Sequence, residues 1–222
     1  MRKILVISII LSTVALAQND GLVKTYYPSG ALETEGNYAN GVRDGLWTFW
    51  YEGEVYQDYG DDGEPNTQDE GEGNSEWDST ETVLLDLDGD TFFDPPKKQM
   101  EGSYSLGNRE GLWTTWYLNS MRKEESNYTS GKLSGTIIRW YENGNKSEDG
   151  VYETGKQNGI WIWYYKTGIK KEQTRFVDGQ QDGLWLQWFT DGAKKSERKF
   201  TNGERDSLWT SWYENGNKKF QA

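Results

Sequence analysis

Gly183-Leu184-Trp185-Leu186-Gln187-Trp188-Phe189 is the stretch from which the rest of the chain becomes readable. Its glycine recurs at Gly111, Gly135 and Gly159, 24 residues apart, and Ser207 continues the series. Toward the N-terminus Gly45 and Gly21 are again 24 apart, whereas Gly45 and Gly111 are separated by 66, one period plus 42 residues. Self-similarity at a fixed period of this size marks a repeat architecture. The one long gap then marks an insertion, near Glu54 to Pro95, into a single unit.

The other landmarks keep their offsets. A second tryptophan falls at Trp50, Trp116, Trp140, Trp188 and Trp212, with Tyr164 in its place once. A ring follows directly at Tyr51, Tyr117, Tyr141, Tyr165, Phe189 and Tyr213, and a turn glycine at Gly30, Gly144, Gly168, Gly192 and Gly216. A later ring recurs at Tyr38, Tyr104, Tyr128, Tyr152, Phe176 and Phe200, and three residues on stand Gly41, Gly107, Gly131, Gly155, Gly179 and Gly203. Of the 12 tryptophans ten fall on the two Trp positions of this lattice, Trp163 stands between them in its unit and Trp77 lies in the insertion, which excludes coincidence.

Each unit reads as a hairpin. A run such as Leu208 to Tyr213 is aromatic and suits a strand, and it ends at Glu214-Asn215-Gly216, where Asn and Gly supply positive φ for a tight turn. A more polar strand follows, for example Lys170 to Phe176, closed by Asp178-Gly179. Helix is disfavoured, because glycine every few residues costs roughly 1 kcal/mol each in a helix interior. A lone hairpin is marginal in water, so the units must pair side by side to bury their rings. The expectation is all-β: an elongated antiparallel open sheet of tandem hairpins, with units starting near 21, 45, 111, 135, 159, 183 and 207. Six units and a truncated seventh give about 13 strands, and at about 4.8 Å per strand a ribbon roughly 60 Å long.

Side chains alternate along a strand, so Trp185 and Phe189 point one way and Leu184 and Trp188 the other. Either sheet coiling and a bulge cover both aromatic rows, or one row stays exposed as a binding platform. On the second alternative the contact residues are Trp116, Trp140, Trp188 and Trp212. Arg139, Lys166 and Arg198 flank the rings and could add cation–π or ionic specificity.

The pattern Gly-x-Trp-x-x-Trp-Tyr-x-x-Gly, then a polar strand, a ring and a closing glycine, resembles the MORN-repeat variant. That variant is found in many bacterial exported proteins and in a group labelled as antitoxins. The resemblance spans nearly all of residues 18–222 outside the insertion and implies a β-hairpin array that binds other proteins. The chain departs from the pattern at Ile137 (for Trp), Ser120 (for Gly) and Ser207 (for Gly). The stretch Trp113 to Ser120 is also similar to choline- and glucan-binding wall repeats, although their period is nearer twenty residues. That second likeness implies a cell-wall polymer or carbohydrate as ligand.

Residues 1–17 have the order of a secretory signal peptide: basic Arg2 and Lys3, an apolar run from Ile4 to Val14, and small Ala15-Leu16-Ala17 at the cleavage site. The expected location is therefore secreted or periplasmic, apart from any cytoplasmic toxin. The chain has no Cys, so disulfides cannot contribute to its stability. With no His either, Ser-His-Asp and Cys-His machinery and the usual zinc sets are excluded. Acids outside the insertion, such as Glu142 and Glu214, repeat with the lattice as solvated turn positions do. No enzyme and no cofactor are expected.

The net charge of −12 is local. Glu52 to Asp94 holds 16 acids and no Lys or Arg, leaving 36 − 16 = 20 acids against 24 bases elsewhere, a net of +4. This disfavours nucleic acid and anionic lipid as partners. Low apolar content over Gln57 to Ser79 predicts a loop or disorder. Asp86, Asp88 and Asp90 alternate as calcium ligands would, but Gly89 and Lys97 do not fit the EF-hand loop. The competing reading is a hairpin of Val83–Leu87 and Thr91–Phe93 around Asp88-Gly89. Edge strands at Tyr26 and Phe220 leave self-association open as a further alternative.

Overall fold

The structure, a computed structural model, describes residues 20–53, 55–57, 82–85 and 96–221. Three strands open the sheet: β1 (Gly21–Tyr26), β2 (Leu32–Ala39) and β3 (Val42–Trp50). Two short strands from the insertion, β4 (Val55–Gln57) and β5 (Thr82–Leu85), pair only with each other. The main sheet resumes with β6 (Lys98–Ser105), β7 (Asn108–Trp116), β8 (Arg122–Thr129), β9 (Lys132–Trp140) and β10 (Lys146–Glu153). It continues through β11 (Lys156–Tyr164), β12 (Lys170–Val177), β13 (Gln180–Gln181), β14 (Gly183–Trp188), β15 (Lys194–Thr201), β16 (Glu204–Trp212) and β17 (Lys218–Gln221).

Among the described residues the main sheet has 15 strands, ordered as in the chain, and β3 pairs β6 directly. β13 and β14 both pair with β12 and are two pieces of the strand that is unbroken at β9 and β11. Every pairing is antiparallel, the sheet is open, and no helix occurs among the described residues. The insertion therefore sits at a hairpin tip and leaves the ladder intact, with Tyr51 N donating to Lys97 O at 2.8 Å across its base. β5 pairs with β4; the expected Asp88-Gly89 turn and its 91–93 arm lie outside the described residues.

Two turn types alternate. Between the polar strand and the next aromatic strand both central residues have positive φ, as at Asn40-Gly41 (52° and 73°) and Thr154-Gly155 (49° and 86°). Positive φ at both central positions is the type I′ signature, whose twist matches that of the flanking strands. At the other turn only the glycine is left-handed, Gly216 at φ 81°, while the Asn215 carboxamide accepts from Asn217 N at 3.1 Å. Asparagine there contributes a side-chain acceptor and not the positive φ expected from sequence. Ser120 holds the same left-handed position at φ 62° in place of glycine.

Thr154 is a β-branched residue in a conformation that such side chains avoid. Thr154→Asn should therefore raise the urea midpoint, by about 0.5–1 kcal/mol in stability, since Asn tolerates left-handed φ. An unchanged or lower midpoint would show that the Thr154 side chain is held by something other than turn geometry.

The core forms where a tryptophan lies flat over a residue without a side chain. Gly36 pairs with Trp47 and Gly102 with Trp113, and a Cβ on either glycine would stand 2.2 Å from the indole. Gly150 is related to Trp161 in the same way, at 2.3 Å. Each indole N–H donates to the carbonyl one residue beyond the glycine: Trp47 to Asn37, Trp113 to Ser103, Trp161 to Val151, all at 3.0–3.1 Å. Each is met edge-on by the later ring, Tyr38, Tyr104 or Tyr152, with centroids 4.9–5.2 Å apart. One unit carries Ser126 in the glycine slot, and there the tryptophan is replaced by the smaller Ile137, equally buried.

A second tie joins successive units. The hydroxyls of Tyr27, Tyr117, Tyr141 and Tyr165 donate to the carbonyls of Trp50, Trp140, Tyr164 and Trp188, each at 2.8 Å. Tyr51 reaches Trp116 O at 2.9 Å across the insertion. Phe189 has no hydroxyl, so the series stops before the last unit.

Candidate binding faces

The glycine at the start of each unit positions the outer face. Gly36 pairs with Trp47 but Asn37 with Asp44, so Gly45 and Leu46 bulge out of the β2–β3 ladder. Gly45 accommodates this at φ 69°, and Gly111 at φ 68° does the same before Leu112. On the other side both residues are in regular register, Gly45 with Tyr104 and Leu46 with Ser103. The tryptophan following the bulge turns inward, and the aliphatic residue before it turns out.

The result is an exposed aliphatic strip. Leu46, Leu112, Ile160 and Leu184 are 56%, 51%, 49% and 50% exposed, and Leu22 continues the series at 60%. Where the lattice puts Thr136 in this position, its paired residue Val151 supplies an exposed apolar side chain instead. Rungs two strands apart are about 10 Å apart. Sequence reading placed Leu184 opposite Trp185 but did not recognise that this aliphatic position, and not a tryptophan, is the most exposed apolar row.

The four tryptophans singled out from sequence are each half-buried. Trp116, Trp140, Trp188 and Trp212 share the outer face with the aliphatic strip, but neighbouring side chains partly cover them. Lys98 stands 5.8 Å from the Trp116 ring and Lys194 5.1 Å from Trp212. These lysines are themselves tied three residues on, Lys98 to Glu101 and Lys194 to Glu197, and Arg122–Glu125 and Lys146–Asp149 repeat the arrangement. Tyr164 takes the second-tryptophan position in its unit and donates to Asp149 Oδ2 at 3.0 Å; burial and that carboxylate push its hydroxyl up to about 12.

Arg139 lies on the inner face and is already committed. Its Nε donates to Glu124 and its Nη1 to Glu148, both at 2.7 Å. Burial opposes its charge, but the two carboxylates prevail and hold it above the ordinary arginine value. Lys166 is exposed at a turn, where its carbonyl accepts from Asn143 and Asn145. Asp86, Asp88 and Asp90 lie outside the described residues, as do Trp77 and residues 1–17. Among the described residues no cluster of three metal-ligating side chains occurs.

The last units differ from the rest. Thr174 and Arg198 occupy the slot held by Gly36, Gly102 and Gly150, and Trp185 and Trp209 are correspondingly half-buried. Trp185 donates to the Glu172 carboxylate at 2.6 Å instead of to backbone. Trp209 Nε1 and Arg198 Nε are buried without an acceptor. The Arg198 guanidinium lies between Trp185 and Trp209, 4.6 Å from each ring. Burial and nearby Arg205 lower its pKa, only partly opposed by Glu172, and among the described residues it forms no ion pair.

Comparison with protein families gives a match to the family described as MORN repeat variant, at residues 19–40 and 157–178. Those segments run from the start of β1 through β2, and along β11 and β12, two hairpins at separate places in one lattice. No curated protein sequence matches the chain.

Proposed function

From the premise that this is a MORN-repeat protein, we propose that it is an exported bacterial scaffold that captures another protein on the outer face of its sheet. MORN repeats are a non-catalytic family associated with scaffolds that bind proteins or membranes. The observation that carries the protein reading is the strip Leu46, Leu112, Ile160 and Leu184, about half exposed, with Val151 filling the rung at Thr136. Contiguous exposed apolar surface on a soluble fold marks an interaction site. The half-buried Trp116, Trp140, Trp188 and Trp212 form the strip's flank, where a partner covers ring edges already anchored by the sheet. Residues 1–17 supply the export signal, so the partner is met in the periplasm or outside the cell.

Replacing Leu46, Leu112 and Leu184 together by Asp tests this. The unaltered chain, used as bait on its native envelope fraction, should retain a specific partner that the triple variant loses, with β circular dichroism unchanged. Equal capture by both would refute the strip as the docking face. Sedimentation with purified peptidoglycan or insoluble glucan addresses the wall-polymer reading, and binding there would favour it.

A further inference from the structure

The inner face opens, at its C-terminal units, into a groove of about 940 Å³, the size of a small-ligand site. Its floor positions are polar: where earlier units place Phe49, Thr115, Arg139 and Trp163, the last two place Gln187 and Ser211. Ser196 pairs with both Gln187 and Ser211 across the sheet, and all three line the groove. Its walls are rings: Phe189, Trp209, Tyr213 and Phe220. Trp209 and Phe220 have centroids 4.7 Å apart.

The charge of the lining is unbalanced. Lys195, Arg198 and Lys219 face a single acid, Glu214. Lys195 and Lys219 stand 5.5 and 5.4 Å from the Phe189 and Tyr213 rings. Elsewhere on this face Arg139 meets two carboxylates, Arg43 the Tyr104 hydroxyl and Arg109 the Tyr128 hydroxyl. Arg198 has only ring faces. Arg198 is half-buried with its Nε covered and unpaired, and an anion that met this donor would offset the cost.

The lining also lacks any aliphatic side chain and interleaves its rings with hydroxyl and amide groups, Ser196, Ser211 and Asn215 among them. The exposed aliphatic strip of Leu46, Leu112, Ile160 and Leu184 is on the opposite face. Flat rings take the C–H face of a sugar, the polar groups take its hydroxyls, and a guanidinium takes a carboxylate in a fork. We propose that this groove binds an acidic saccharide, a uronic-acid chain, with its carboxylate at Arg198 and its rings stacked on Trp209 and Phe220. The site is separate from the aliphatic strip, and its failure would leave that reading untouched.

Titration calorimetry of the purified chain with tetragalacturonate tests it, with maltotetraose as the uncharged control. Tetragalacturonate should bind, and maltotetraose at least about tenfold more weakly. Arg198→Gln should weaken the acidic saccharide by about tenfold or more. Ser211→Phe, which restores the ring that Phe49 provides in its own unit, should block it while the charges remain. Circular dichroism and melting of both variants establish that they fold; if Arg198→Gln does not, Ser211→Phe decides alone. Absence of heat with tetragalacturonate, or equal binding by folded variants, overturns the proposal. So does Arg198-dependent binding of the peptide acetyl-Glu-Glu-Phe-Glu without saccharide binding, which would make the groove a peptide site.

Discussion

Trp113→Ala should cost about 3–5 kcal/mol in equilibrium unfolding, the range for removing a buried tryptophan. Trp113 is 1% exposed, and its ring serves three neighbours at once. It covers Gly102, meets Tyr104 edge-on at 4.9 Å, and carries the Arg109 guanidinium at 4.3 Å. Its N–H donates to Ser103 O at 3.1 Å, an acceptor left unmatched in the variant. The loss should appear in urea or thermal unfolding as a large fall in midpoint. A cost under about 1 kcal/mol would mean that the repeat is held by its backbone ladder and turns rather than by its rings.

The second large effect comes from the residue beneath that ring. Gly102→Ser introduces a Cβ at a point 2.2 Å from the Trp113 ring, so either the indole or the strand must move. Overpacking of this kind costs about 1–3 kcal/mol, and the lost indole hydrogen bond adds to it. The neighbouring unit shows the compensated form, Ser126 beneath Ile137. Gly102→Ser should therefore cost less than about 1 kcal/mol when Trp113 is first replaced by Ile, a coupling of about 1–2 kcal/mol in the double-mutant cycle. Additive costs in that cycle would show that the co-occurrence of Ser126 and Ile137 has no packing basis.

Much of this fold is written in the 24-residue spacing. Rings and glycines at constant offsets can be satisfied only by identical hairpins, and the sheet order follows because each hairpin buries its rings against the next. The 66-residue gap between Gly45 and Gly111 marks the insertion, since β3 and β6 retain the register of every other pair. Which aromatic row turns inward was harder to read. Alternation separates Trp47 from Trp50 but does not say which is inside. The deciding signal stands eleven residues before the buried indole, at Gly36, Gly102 and Gly150, where the absent side chain makes room for it. Arg139 reads as a contact because it lies beside Trp140, yet Glu124 and Glu148 come beside it only through cross-strand pairing. The aliphatic strip is hard to read for a related reason: a leucine next to a buried tryptophan carries no direction until the Gly45 bulge fixes it.

Leu112 and Trp113 are neighbours in sequence with opposite placements, one exposed on the outer face and the other buried. Equilibrium unfolding of Leu112→Asp tests that division most directly. A stability within about 0.5 kcal/mol of the unaltered chain is the predicted result, as for other surface positions. A loss comparable to that of Trp113→Ala would contradict it, because the outer face would then be part of the core and not a surface kept for a partner.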